Sequence, residues 1–222
     1  MDNLEKKLQN KFVWIFNGNL GDGVKLPSGV FLAKEKAQKW IDELGINGLV
    51  TPYPVDINVY DWAIQNQFFT PQRLEHSSPA FIASFIFTYY QQYLVWVQQK
   101  IALLTKTDTL DEMNSNGPES LLEAENILPH SEVWVYNAYS PGKRGLASAV
   151  FRTRETAEKW IEETRIEGLL TAYPVDISAY DWSVQNNWFT PKKPHHYSPE
   201  FIGAFTGGHK HFHYDFENRI DG

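Results

Sequence analysis

The 222-residue sequence contains no cysteine and only two methionines. Without cysteine there are no disulfides, thiolate metal sites or cysteine nucleophile, and a cytoplasmic setting is expected. Basic residues are outnumbered 20 to 27, for a formal charge of −7. Non-specific nucleic-acid binding needs a dense positive footprint to displace counterions, so nucleic acid is not an expected partner. The first residues are charged and polar (Asp2, Glu5, Lys6, Lys7, Lys11), unlike a secretory leader. The nearest approach to a membrane span, residues 80–99, has no formal charge, but Gln91, Gln92, Gln98 and Gln99 break up its apolar character. No glycine-rich phosphate loop, G-x-S-x-G elbow or H-E-x-x-H helix occurs. Apolar residues (42%) and aromatics (15%) suffice for a packed interior.

The dominant feature is an internal repeat with a constant offset of 120. Phe12-Val-Trp-Ile-Phe-Asn17 recurs as Glu132-Val-Trp-Val-Tyr-Asn137, and Lys39-Trp40-Ile41 as Lys159-Trp160-Ile161. Tyr53-Pro-Val-Asp-Ile57 recurs as Tyr173-Pro-Val-Asp-Ile177, and Tyr60-Asp-Trp62 as Tyr180-Asp-Trp182. Ser78-Pro79 matches Ser198-Pro199. One fold used twice is the implication. The repeat also argues against a span at 80–99, because its counterpart 200–219 holds Glu200, Lys210, Asp215, Glu217 and Arg219. The expected organisation is a first repeat domain over 12–101, an acidic linker over 102–131 and a second repeat domain over 132–222. The linker carries six acids against Lys106 alone.

Within each copy, alternation of apolar residues predicts a strand at 10–17 and 131–137, a polar turn over 18–27, and a second strand at 28–32 and 148–151. Ala37, Trp40, Ile41 and Leu44 fall at i, i+3, i+4 and i+7 and predict an amphipathic helix. Its counterpart repeats the stripe with Ala157, Trp160 and Ile161 behind a candidate N-cap, Thr153. A third strand is expected at 48–51 and 168–171. Asp56 then has the right chemistry to cap a helix from Ile57 bearing Tyr60, Ala63 and Ile64 on one face. Ser78-Pro79 reads as an N-cap with proline at the first helical position. A closing strand is expected at 93–97 and 211–216. The predicted class is α+β, two copies of β-β-α-β-α-α-β with a largely antiparallel sheet, packed as a pseudo-two-fold pair. An internal pair of this kind is expected to be monomeric.

The signature W-V-[FY]-N, A-x-K-W-I, L-T-x-Y-P-V-D, Y-D-W, F-I and H-x-H-Y resembles an uncharacterised family of small bacterial domains of unknown function, here in two tandem copies. The resemblance implies no assigned reaction and no established catalytic residues. The first copy departs from it at its end. Tyr89, Gln91, Tyr93 and Leu94 stand where the second has His209, His211, His213 and Tyr214.

Three groups of residues have the chemistry for a site. Tyr53, Asp56, Asp61 and Trp62, with Tyr173, Asp176, Asp181 and Trp182, combine amphipathic rings with directed acceptors, a composition suited to partner binding. The competing reading gives Asp56 to a helix cap and the rings to the core. His209, His211 and His213 share one face of a strand and have the spacing to bind zinc or another divalent transition metal, the basis of an alternative reading as a metal-dependent enzyme. Asp61 or Asp181 beside His76 or His196 would suit acid–base work only if a cleft brought them together. The preferred reading is a non-enzymatic, soluble protein-binding module with no cofactor and no catalytic residue, such as an immunity-type or inhibitor protein acting on a basic partner.

Overall fold

A computed structural model describes residues 12–19, 24–85, 132–139, 146–206 and 210–216. The linker expected over 102–131, the closing strand expected at 93–97, and His209 lie outside these residues. The first copy runs β1 (Phe12–Asn19), β2 (Val24–Phe31), α1 (Lys34–Leu44), β3 (Gly48–Pro54), β4 (Ile57–Asn58), α2 (Val59–Gln65), a 3-10 turn (Leu74–Ser77) and α3 (79–85). The second repeats this as β5 (Glu132–Ala138), β6 (Ala149–Phe151), α4 (Arg154–Thr164), β7 (Gly168–Pro174), β8 (Ile177–Ser178), α5 (Ala179–Gln185), a 3-10 turn (Pro194–Tyr197) and α6 (Pro199–Ala204). The second copy also has β9 (His211–Tyr214), whose counterpart at 91–94 lies outside the described residues. The class is α+β with antiparallel strand pairing. No helix among the described residues is long and apolar enough to cross a membrane.

Local chemistry explains most boundaries. Thr153 caps α4 by accepting from the Thr156 backbone N–H at 3.2 Å. Ser78 and Ser198 cap α3 and α6 by accepting from Phe81 and Phe201. In α1 the cap position is Ala33, whose φ of −129° matches the −130° of Thr153 but whose side chain has no acceptor. Ala33→Thr should therefore stabilise the protein by about 1 kcal/mol. Urea unfolding checks this, and an unchanged midpoint would contradict it.

Three local expectations are corrected. The strand β2 starts at Val24, inside the segment expected to be a turn. The third strands continue to Pro54 and Pro174 rather than stopping at the threonines. The caps of α2 and α5 are Asn58 and Ser178, not Asp56 and Asp176. Asp56 and Asp176 instead hold φ of 61°, a left-handed conformation that aspartate tolerates better than most residues.

The strands order as β3-β1-β2-β8 in one sheet and β4-β6-β5-β7-β9 in the other. Each sheet thus takes a two-residue strand from the other copy. Gly29 pairs with Ser178 and Ala149 with Asn58, and these pairings are equivalent under the offset of 120. The isolated bridges Val30–Val175 and Val55–Val150 are equivalent in the same way.

Both faces of β1 and β5 are covered, which accounts for their almost unbroken apolar sequence. Val13 and Ile15 join Val133 and Val135 in one buried cluster, with Val30, Tyr53, Val150 and Tyr173. On the opposite face Phe16, Phe31 and Ala37 pack with Trp40 under α1, while Tyr136, Phe151, Ala157 and Ile161 pack with Trp160 under α4. Ring geometry repeats: Phe16–Trp40 and Tyr136–Trp160 meet edge-on at 5.2 and 5.5 Å. Each copy's own helix covers the outer side of its sheet, and the central cluster belongs to both copies. Ala83 of α3 is buried in the cluster of the second copy, and α6 lies against β1 and β2 of the first.

Candidate functional site

Asp56 and Asp176 form the seam between the copies. The Asp56 N–H donates to the Val150 carbonyl at 2.7 Å, and the Asp176 N–H to the Val30 carbonyl at 2.8 Å. The Asp56 carboxylate accepts from the Arg152 backbone N–H at 2.9 Å and from the Arg152 guanidinium Nε. The Asp176 carboxylate accepts from the Leu32 backbone N–H at 2.9 Å and from the Lys36 Nζ at 2.7 Å. The left-handed turn makes this possible, because it points the N–H and the carboxylate of one residue at the same edge strand. Positions 32 and 152 correspond, but the cation does not. Arg152 supplies its own side chain, whereas Leu32 has none to offer and Lys36 reaches in from α1. Neither cation carries a signal in the sequence, since each sits at least 96 residues from its aspartate.

The remaining members of the candidate recognition group fall in three places. Tyr53 and Tyr173 are buried in the shared cluster, and burial pushes the Tyr173 hydroxyl up so that it stays protonated. Asp61 and Asp181 lie in the first turns of α2 and α5, where their N–H groups donate to Asn58 and Ser178. Their carboxylates accept back from the same side chains at 2.5 and 2.6 Å, a reciprocal cap that uses both groups. The two tryptophans differ between copies. Trp62 is only 5% exposed, with Phe12 edge-on at 5.6 Å and Phe68 at 5.5 Å. In the second copy Glu132 replaces Phe12, and Trp182 is half-buried beneath Trp188, 5.1 Å away and 55% exposed. Sequence reasoning missed Trp188, although the change from Phe68 to Trp188 is visible in the aligned repeats.

His76 and His196 occupy equivalent stacked positions, at 4.7 Å on Phe81 and 4.9 Å on Phe201. Their Nδ1 atoms accept from the backbone N–H of Gln72 and Lys192 at 3.2 and 3.1 Å. Desolvation, with the neighbouring His195 and Lys193, holds the His196 pKa below the usual imidazole value. Each imidazole therefore ties down its own turn, and its bonds lead to backbone rather than to Asp61 or Asp181.

On β9, His211 and His213 point outward with ring centroids 5.7 Å apart. His213 Nδ1 lies 2.5 Å from the Tyr139 hydroxyl. Among the described residues no three His, Asp or Glu side chains gather as a metal-binding group. The inward side of β9 is clamped to α4. Tyr214 donates to Glu158 at 2.7 Å, Arg154 donates to the same carboxylate at 2.9 Å, and the Arg154 guanidinium stacks 3.7 Å over Phe212. Burial resists ionisation of Glu158, but these two bonds outweigh it and hold its carboxyl below the ordinary range. Burial and the bond to Glu158 push the Tyr214 hydroxyl up to about 12. A protonated phenol donating to a carboxylate is a strong fastening, so this network secures β9.

No curated protein and no solved structure is significantly similar to the chain. Residues 13–99 and 133–219 each match the family described as Domain of unknown function (DUF7710). Each match contains one seam aspartate (Asp56 or Asp176), one cap of the short helix (Asn58 or Ser178) and one Ser-Pro cap (Ser78 or Ser198). The chain therefore belongs to the DUF7710 family, with two tandem members of that domain joined in one polypeptide.

Proposed function

We propose that this chain is a non-catalytic protein-binding module whose contact surface lies on the second copy around Trp188. One observation carries the reading. Trp188, packed edge-on against Trp182 at 5.1 Å, presents its ring to solvent at 55% exposure, whereas Phe68 at the corresponding place in the first copy is half-buried. An outward tryptophan resting on a second ring has the area and rigidity of an interface anchor, and such residues carry much of the energy of protein contacts. The carboxylates considered for acid–base work, Asp61 and Asp181, are engaged in helix caps, which favours binding over catalysis. The charge of −7 suits a basic partner, met with electrostatic steering, as an immunity-type or inhibitor protein would require.

The test is Trp188→Ala in the full chain, with affinity for a captured partner measured by calorimetry at two salt concentrations. Affinity should fall about tenfold or more, as truncation of an anchor costs about 2 kcal/mol, with the unfolding midpoint little changed. Leu74→Ala, at a 98% exposed site of the first copy, should leave affinity unchanged. A partner whose binding ignores both Trp188 and salt contradicts the proposal, as does the absence of any partner.

A further inference from the structure

The contacts across the seam come in equivalent sets. Asp56 reaches positions 150 and 152, and Asp176 reaches 30 and 32. The pairing Gly29–Ser178 answers Ala149–Asn58, and the bridge Val30–Val175 answers Val55–Val150. Contacts that map onto themselves when the partners are interchanged are those of an isologous interface, the kind that joins two identical subunits. Here both partners sit on one chain. The bonds depend only on a first copy meeting a second copy, and nothing in them requires that the two be covalently joined.

We propose that the seam is exchangeable between molecules: two copies of this chain form a closed, domain-swapped dimer. In it the first copy of each molecule docks on the second copy of the other, with both Asp56–Arg152 and both Asp176–Lys36 contacts re-formed in trans. The reciprocal clasps across a core shared by both copies carry the inference. Residues 86–131 join the described parts of the two copies. The covalent connection raises the effective concentration of one copy beside the other, so dilute protein favours the monomer. Exchange needs the shared core to open, so dimer forms when chains refold together at high concentration and then dissociates slowly.

Charge reversal tests this. In Asp56→Arg, position 56 meets Arg152 as a like charge, and in Arg152→Asp the two carboxylates oppose each other. When the two variants refold together, a swapped heterodimer contains two clasps. One is the native Asp56–Arg152 pair, and in the other the two charges have changed places, so both repulsions vanish. Each variant would be unfolded in urea, alone and mixed, refolded by dilution, and sized by light scattering. Dimer from the mixture should exceed that from either variant alone by about tenfold, the factor for about 1.4 kcal/mol shared between the two matched charge pairs. Wild-type protein refolded at rising concentration should give dimer in rising proportion. If the mixture yields no more dimer than the separate variants, or if wild-type chain stays monomeric at every refolding concentration, the proposal is overturned. Should Asp56→Arg fail to fold alone, its recovery in soluble form only when mixed with Arg152→Asp supports exchange. Failure to recover contradicts it.

Discussion

Gly18→Ala is expected to destabilise the protein by about 3 kcal/mol, the upper end of overpacking costs. Gly18 is on β1 of the first copy and Gly203 on α6 of the second. A Cβ on Gly18 would overlap the Gly203 carbonyl oxygen, with the Gly203 carbonyl carbon at 2.9 Å. These obstacles are backbone atoms, so no rotamer change relieves them and α6 must move away. That shift also strains the bond from the Ser28 hydroxyl to the same carbonyl, 2.6 Å long. Gly45→Ala is the control. It holds φ of 63° with open space around it, so alanine there costs only the left-handed conformation, about 1 kcal/mol. Amide hydrogen exchange separates the two, because Gly18→Ala should raise exchange in residues 199–205 of the other copy. Protection there equal to wild type would mean that the copies do not meet at this point.

The second large effect is expected from Asp56→Ala. It removes the acceptor for the Arg152 N–H, leaves the Arg152 guanidinium without its carboxylate, and places alanine in a left-handed turn. Side-chain exposures of 21% and 32% screen the ion pair, so the charge contributes less than in a fully buried pair. The orphaned N–H and the backbone strain remain, and the total loss should be about 2–3 kcal/mol. Asp56→Asn keeps an acceptor and a residue tolerant of positive φ, and should lose about 1 kcal/mol. Asp176→Ala should cost less than Asp56→Ala, since its cation Lys36 is 47% exposed. Urea titrations of the three variants give the order, and equal midpoints for Asp56→Ala and Asp56→Asn would rule out the turn and clasp as described.

These expectations concern features that the sequence only partly disclosed. The duplication was legible because 120 separates every matched pair, and the helices at Trp40 and Trp160 because their stripes have helical period. The caps Thr153, Ser78 and Ser198 followed from local chemistry. What pairs across the seam was not legible. A two-residue strand such as Ile57–Asn58 has no period to detect, and its partner Ala149–Val150 lies in the other copy. Asp56 and Asn58 both suit a cap, and only the left-handed turn at Asp56 assigns the task to Asn58. Trp62 looked displaced from the apolar stripe of α2, yet it is buried, because Phe12 and Phe68 cover a second side of that short helix. Likewise, β1 and β5 are apolar on both faces, one toward the copy's own helix and one toward the shared cluster, so their pattern did not show which face meets the other copy.

The central assertion is that neither copy owns a complete interior, so both fold as one unit. Scanning calorimetry of the full chain tests it most directly, by comparing the calorimetric enthalpy with the van't Hoff enthalpy. A single transition with the two enthalpies equal, moved as a whole to lower temperature by Asp56→Ala, is the predicted result. Two separable transitions, only one of them displaced by that substitution, would contradict the account.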